Sequence, residues 1–398
     1  MQKRNLWCVV AAALAVTLAG GCQAPKKKQS QQAAAARWNH ARAGVLYSLA
    51  SDQYKNADFD KCRKTTNDAL KMDPTNANLR VLSAKIAIEQ GQLEAAEREL
   101  ELARKYAPND PEGYYMAGVV YQRWQKPERA YEFYTAASDK NPIELSYLLA
   151  RAETLVELGR SEEALTLLQG KVQYFENSAA IRDAVGQLLT QAGNYHEAVE
   201  MFRQASVLEE QEVPFKERLG LALYYDKQYA EAVDVLGKLV TREGYTQRAD
   251  LMMALGESQL QTAKPRDARQ SFESATQLDA SNAKGWLGLG RAAMECKDYR
   301  RAELALKKAQ SLDAKSAEPQ LMLGYLRLRQ NRTREAMVAF KKASELDPKD
   351  SVSVTMIGYV YEKSGKPDLA VKYYGKALKL KPNDPLATKL MAGANLND

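Results

Sequence analysis

The chain has 398 residues, 45% hydrophobic and 27% charged, with a formal net charge of +7. That apolar content supports a continuous core and excludes a largely disordered chain. The small positive excess falls to +5 once Lys3 and Arg4 are set aside as part of a removable segment, too little to argue for nucleic-acid binding without a focused patch. Only two histidines occur, His40 and His196, far apart in sequence and without metal-ligand spacing around either. No phosphate-binding glycine loop and no Gly-x-Ser-x-Gly elbow is found, so neither catalytic residue, metal nor cofactor is expected.

Residues 1–21 have the layout of a secretory signal: Lys3 and Arg4, an apolar run from Leu6 to Ala19, then small residues. The run is shorter than the roughly 20 apolar residues a spanning helix needs. Leu18-Ala19-Gly20-Gly21-Cys22 resembles the cleavage box of bacterial lipoproteins, although Ala19 stands where that family usually has Leu. The resemblance implies diacylation of Cys22, with each buried methylene adding about 0.8 kcal/mol of membrane affinity. Ordinary signal cleavage and an uncleaved anchor are the alternatives. In the best-known lipoprotein sorting system, Gln23 rather than Asp after the cysteine implies transfer to the outer membrane. Residues 22–36, with Lys26 to Lys28, are expected to form a flexible tether, and Ala33 to Ala36 already suit a helix.

From Ala43 onward a 34-residue unit recurs, starting at Ala43, Ala77, Pro111, Leu145, Ala179, Val213, Ala249, Ala283, Ala317 and Ser351. The unit from Ala283 shows the plan: Trp286, Leu289, Gly290 and Ala293 share one helical face, and Ala302, Leu306 and Ala309 mark a second helix. The eighth residue is always Ala or Gly, and the twentieth is Ala except for Cys62, where anything larger would overpack the helix pair by roughly 1–3 kcal/mol. Pro74, Pro108, Pro142, Pro348 and Pro382 close five units. At these residues the chain resembles the tetratricopeptide repeat family; repeat three supplies Tyr114, Gly118, Tyr121, Ala130, Tyr134, Ala137 and Pro142. The resemblance implies an all-α, right-handed solenoid of about ten helix-turn-helix repeats over residues 37–384. Residues 385–398 are read as a capping helix and tail, with Leu386, Leu390 and Met391 sealing the end. The middle is irregular: Glu176, Glu210 and Gly244 replace the closing proline, Lys171 and Leu239 replace a small residue, and Gln247 and Arg248 are inserted.

In the resembled family, first-helix positions two, five, nine, twelve and thirteen line a concave groove. Carried over, these give Tyr47, Tyr54, Val81, Ile88, Tyr115, Val119 and Arg123 near the start. Toward the end they give Leu221, Tyr224, Tyr225, Leu287, Arg291, Leu321, Tyr325, Arg329 and Tyr359. Aromatic and arginine side chains carry much interface energy, so protein or peptide segments with apolar anchors are the expected partners. Some of these residues also suit packing against adjoining helices. No repeat pairs Lys at position five with Asn at position nine, so the carboxylate clamp of the chaperone-binding relatives is not expected. Lys307, Lys308, Lys341, Lys342 and Lys376 form a basic stripe on the second helices, read as a solvated face or as a contact for anionic polymer or lipid. Cys62 reads as a core thiol, and Cys296 lies too many repeats away to pair with it.

Together these features predict a non-enzymatic, lipid-anchored scaffold of the bacterial cell envelope, facing the periplasm, that serves a pilus, secretion or exopolysaccharide-export assembly. A regulatory or substrate-selecting subunit of a cell-wall enzyme or glycosyltransferase, and a structural tether between membrane and wall, are the alternatives.

Overall fold

The structure is a computed structural model that describes residues 24–394, and among these all regular structure is helical. The expected signal segment, Cys22 and residues 395–398 lie outside the described residues. Residues 24–36, expected within a flexible tether, are helical. They form the beginning of a 32-residue helix, Ala24–Lys55, that runs on into repeat one. Pro25 sits where a first turn tolerates it, and the Ala33 to Ala36 run has the highest helix propensity available.

The repeats are helix pairs. Repeat two is Ala77–Glu89 with Leu93–Tyr106, repeat three Pro111–Arg123 with Pro127–Lys140, and repeat nine Glu318–Arg329 with Thr333–Leu346. Several first helices start under side-chain caps: Asn76 accepts from the Leu79 N–H, Asp110 from Glu112, and Asp350 from Val352 and Ser353. Between the helices the fifteenth residue has positive φ in every repeat. Gly91, Gly159, Gly193 and Gly365 meet this need without strain, whereas Ala57, Gln125, Lys227, Ala263, Lys297 and Asn331 adopt it at φ of 56–62°. Paired bonds close each turn; in repeat two Gln92 N–H donates to the Ala87 carbonyl (2.8 Å) and Gly91 N–H to that of Ile88 (3.0 Å).

The small eighth residue is explained by what lies on it. A Cβ at Gly324 would stand 2.3 Å from Cε1 of Phe340, and at Gly118 2.5 Å from the Tyr134 ring. Gly358 meets Tyr374 in the same way. Repeats one, two and four instead have Ala50, Ala84 and Ala152, and there the residue at the ring's position is the smaller Thr66, Leu100 or Leu168. Cys62 fills the twentieth position as a core thiol, its Sγ donating to the Ala50 carbonyl at 3.1 Å. Burial raises its pKa.

The sequence irregularities shorten second helices. In repeat four the helix Ser161–Gln169 gives way to a 3₁₀ turn, Val172–Phe175, and in repeat six the second helix is only Tyr229–Leu239. The chain divides into two compact units between Glu176 and Asn177, with repeats one to four in the first and five to ten in the second. The last helix, Pro385–Ala394, caps the second unit: Ala387 is buried among Val354 and Ala377, and Leu390 and Met391 pack against Ala370 and Tyr374. Leu386 stays exposed, so Ala387 takes the sealing role expected of it. Asp384 fixes the turn into this helix by accepting from Ser351 Oγ (2.7 Å) and from the Leu386 and Ala387 N–H groups (3.0 Å each).

Candidate partner-binding face

In the first unit the expected groove residues surround a cleft of about 490 Å³ between the first helices of repeats one to three. Tyr47, Tyr54 and Val81 line it, together with Ser51, Lys85 and Glu112. Lys85 and Glu112 pair at 2.7 Å, both side chains about one-third exposed. These two charged residues were not among the expected groove set, although they occupy repeat positions nine and two of the same pattern. Their pairing across 27 residues is what the pattern alone does not show. Val81 and Ile88 correct the expectation of side chains held out to a partner, because both are buried. Val81 is the floor of the cleft, and Ile88 belongs to the core beneath Arg123, which donates to its carbonyl at 3.0 Å.

Farther along this unit Tyr115 lies between Tyr134 and Tyr147, with ring centroids at 5.6 and 4.8 Å. Burial raises the pKa of Tyr115, and nearby Glu112 adds to the effect. Tyr147 donates its hydroxyl to Glu112 at 2.9 Å; burial and then that bond push its pKa well up, so it remains a donor at neutral pH. Val119 is half-buried beside this cluster.

In the second unit the groove set is more deeply tied into the fold. Tyr225 is half-exposed and stacks on Tyr195 at 5.2 Å, with Tyr224 tilted beside it at 5.1 Å; Leu221 is half-buried one turn away. Leu287, Leu321, Tyr325 and Tyr359 are partly buried against the core, Tyr325 edge-on to Phe340 at 5.5 Å. Burial raises the Tyr325 pKa. Arg291 holds Glu257 through two bonds of 2.9 and 3.3 Å. Arg329 donates to the Met294 carbonyl (3.2 Å) and to Glu295 (2.8 Å).

These ties follow the repeat. Arg123 to Ile88 and Arg329 to Met294 each span 35 residues, from position thirteen of one repeat to the carbonyl at position twelve of the one before. Tyr54 to Glu89 and Arg218 to Asp183 span the same interval. Much of the arginine on this face therefore laces neighbouring first helices together, and Arg123 and Arg329 do so while staying exposed.

On the second helices, Lys307, Lys308, Lys341, Lys342 and Lys376 are all exposed. Lys307 pairs with Glu303 at 2.8 Å, and Lys376 lies over the Tyr373 ring at 4.7 Å. Leu304 and Val338, one repeat apart, stand exposed among them. Among the described residues no cluster of three or more His, Cys, Asp or Glu suits a metal ion, and no helix is long and apolar enough to cross a membrane.

Comparison with known proteins agrees with this plan. Two tetratricopeptide repeat family models match residues 48–117 and 180–213, and the model of the C-terminal domain of cilia and flagella-associated protein 70 matches residues 213–397. Protein NPGR2 of Arabidopsis thaliana is 33% identical over 137 residues, which is 32% of this chain and 18% of that protein. The chain thus spans less than a fifth of that curated relative. Among solved structures, the Cut9–Hcn1 hetero-tetramer of APC/C aligns with 89% of this chain and 96% of its own at 15% identity and a TM-score of 0.46. MamA aligns over 43% and 92% at 24% identity and a TM-score of 0.38. A thermophilic repeat protein of the same kind from Thermus thermophilus aligns over 46% and 100% at 20% identity and a TM-score of 0.40. Repeat models are matched in both units and the same helix pair recurs along the described chain, so the chain carries tetratricopeptide repeats in each unit.

Proposed function

We propose that the chain is a lipid-anchored scaffold of the bacterial envelope, held by acylated Cys22 and facing the periplasm, whose first-helix face collects segments of partner proteins into an export or pilus assembly. The fold is of a kind that generally serves protein–protein interaction and is generally non-enzymatic. The observation that carries the proposal is the cleft of about 490 Å³ in repeats one to three, where two tyrosines and a partly exposed Lys85–Glu112 pair surround an apolar floor. Such a site offers aromatic contact and one polar anchor of each sign to an extended or helical segment. The envelope assignment rests on Lys3, Arg4, the apolar run and Cys22. Holding two partners on one chain would raise their effective concentration at the membrane.

The test is a photo-reactive side chain at Ser48, exposed at the cleft rim, in cells carrying either Cys22 or Cys22→Ala. An adduct with an export or pilus component, lost when Val81 is changed to Asp, together with acyl labelling that requires Cys22, is the expected result. Labelling independent of Cys22, or an adduct indifferent to Val81→Asp, refutes the corresponding half. Capture of a cell-wall enzyme would favour the regulatory reading. A second reading, a structural tether, draws on the lysine stripe with Leu304 and Val338 exposed within it, a pattern suited to an anionic surface. It requires binding that weakens as salt rises.

A further inference from the structure

In the later repeats, positions three and seven of the first helix are covered by the second helix of the repeat before. In repeat seven they are Leu251 and Leu255, 0% and 4% exposed, and the helix Ala249–Gln261 packs on Tyr229–Leu239. In repeat one the same positions are Val45 and Leu49, 72% and 49% exposed. Trp38, seven residues before Val45 on the same face, is 65% exposed, and Ala41 lies between them. The opposite side of this helix is used normally: Ala43 and Ala50 are fully buried against repeats one and two. The helix is also longer than any other first helix, 32 residues against 12 or 13. The first repeat thus presents half of an inter-repeat interface, extended toward the N-terminus and left open.

We propose that a second copy of this chain covers it, the two Ala24–Lys55 helices packing antiparallel about a two-fold axis near Val45. Charge selects this occupant and this direction. Arg37 and Arg42 flank the apolar stripe in its N-terminal half, and Asp52 ends it at position ten. With Val45 facing Val45, Leu49 meets Ala41 of the other copy, and Asp52 meets Trp38 with Arg37 and Arg42 within a turn. A parallel arrangement would set like charges side by side. The spacing of Trp38, Ala41 and Val45 is the seam of a paired helix, and the contact continues a surface that repeats three and seven to ten bury within the fold at both positions.

Sedimentation equilibrium of the full chain carrying Cys22→Ala, at micromolar concentration, should give a dimer. Val45→Asp with Leu49→Asp should raise its dissociation constant by roughly 100-fold or more, because four apolar side chains, two from each copy, are lost across the two-fold. Both residues are exposed in the protomer, so helicity and melting of the dissociated variant at matched dilution should stay as in the parent. With Cys296→Ser added, Val45→Cys should oxidise to a covalent dimer through position 45, whereas Val207→Cys, exposed at 74% elsewhere, should not. A monomeric parent, a dimer indifferent to the two aspartates, or a Val45→Cys chain that forms no disulfide between copies would each overturn the proposal.

Discussion

Gly324→Ala is the sharpest probe of how the repeat is assembled. The added methyl would lie 2.3 Å from Cε1 of Phe340, more than 1 Å inside ordinary contact, and Phe340 is fully buried with no room to withdraw. Overpacking of this kind costs roughly 1–3 kcal/mol, and the upper part of that range applies where the ring is held on all sides. Ala is favoured over Gly in a helix by about 0.8–1.0 kcal/mol, which leaves a net loss of about 1–2 kcal/mol. The repeats themselves supply the rescue, since Ala84 and Ala152 occur with Leu100 and Leu168 at the ring's position. In a Phe340→Leu background, Gly324→Ala should therefore cost less, since a leucine end can yield where a held ring cannot, with a coupling of at least about 1 kcal/mol. Because a repeat array need not unfold in one step, the readout is native-state hydrogen exchange of amides in Glu318–Arg329 and Thr333–Leu346, beside urea unfolding. Additive effects, or a single Gly324→Ala variant as stable as the parent, would refute the account of the small position.

Other outcomes follow from the same geometry. Ala263→Gly and Lys297→Gly, each at positive φ in an inter-helix turn, should each stabilise the chain by about 1 kcal/mol in urea titration, whereas glycine at Ala293, fully buried in the last turn of its helix, should destabilise it. Glu303 is held down to about 2 by its bonds to Arg327 and Lys307, with Arg327 nearly buried. A carboxyl whose folded pKa lies below its unfolded one contributes stability above the unfolded value and loses it as pH falls toward the folded one. The second unit should accordingly lose about 1–2 kcal/mol between about pH 5 and 2 after allowance for solvent screening, and Glu303→Gln should abolish that part of the acid slope. Of the two described cysteines, Cys296 should react with a thiol reagent in the native state, while Cys62, buried and with its pKa raised, should react only on unfolding.

What was legible in the sequence is what the helix period writes directly. The alternation of bulky and small residues gave the repeat starts, because a face that recurs every three or four residues has to be packed. The capping helix was legible for the same reason, yet its sealing residue was not, since Leu386 and Ala387 differ by a rotation that only the preceding turn at Asp384 decides. Glycine announced four of the ten left-handed turns. The other six were hidden in Ala57, Gln125, Lys227, Ala263, Lys297 and Asn331, where the packing of two helices imposes the conformation against local preference. On the groove, position five told which way Val81 points but not that Tyr47 and Tyr54 would rise beside it and leave it as a floor. The bonds of Arg123, Arg291 and Arg329 to the preceding repeat depend on how closely successive first helices lie, a distance the one-dimensional pattern does not contain.

Those arginine ties make the candidate face a surface of exchange rather than of simple addition. A partner carboxylate that claims Arg329 takes it from Glu295 and from the Met294 carbonyl, so each anion gained is matched by one released. Recognition there would respond weakly to overall ionic strength and strongly to the order in which acidic and apolar groups succeed one another in the partner. Because the released groups belong to the adjoining repeat, the same event slackens the joint between two repeats. A ligand would thereby be felt one helix pair away from where it is held.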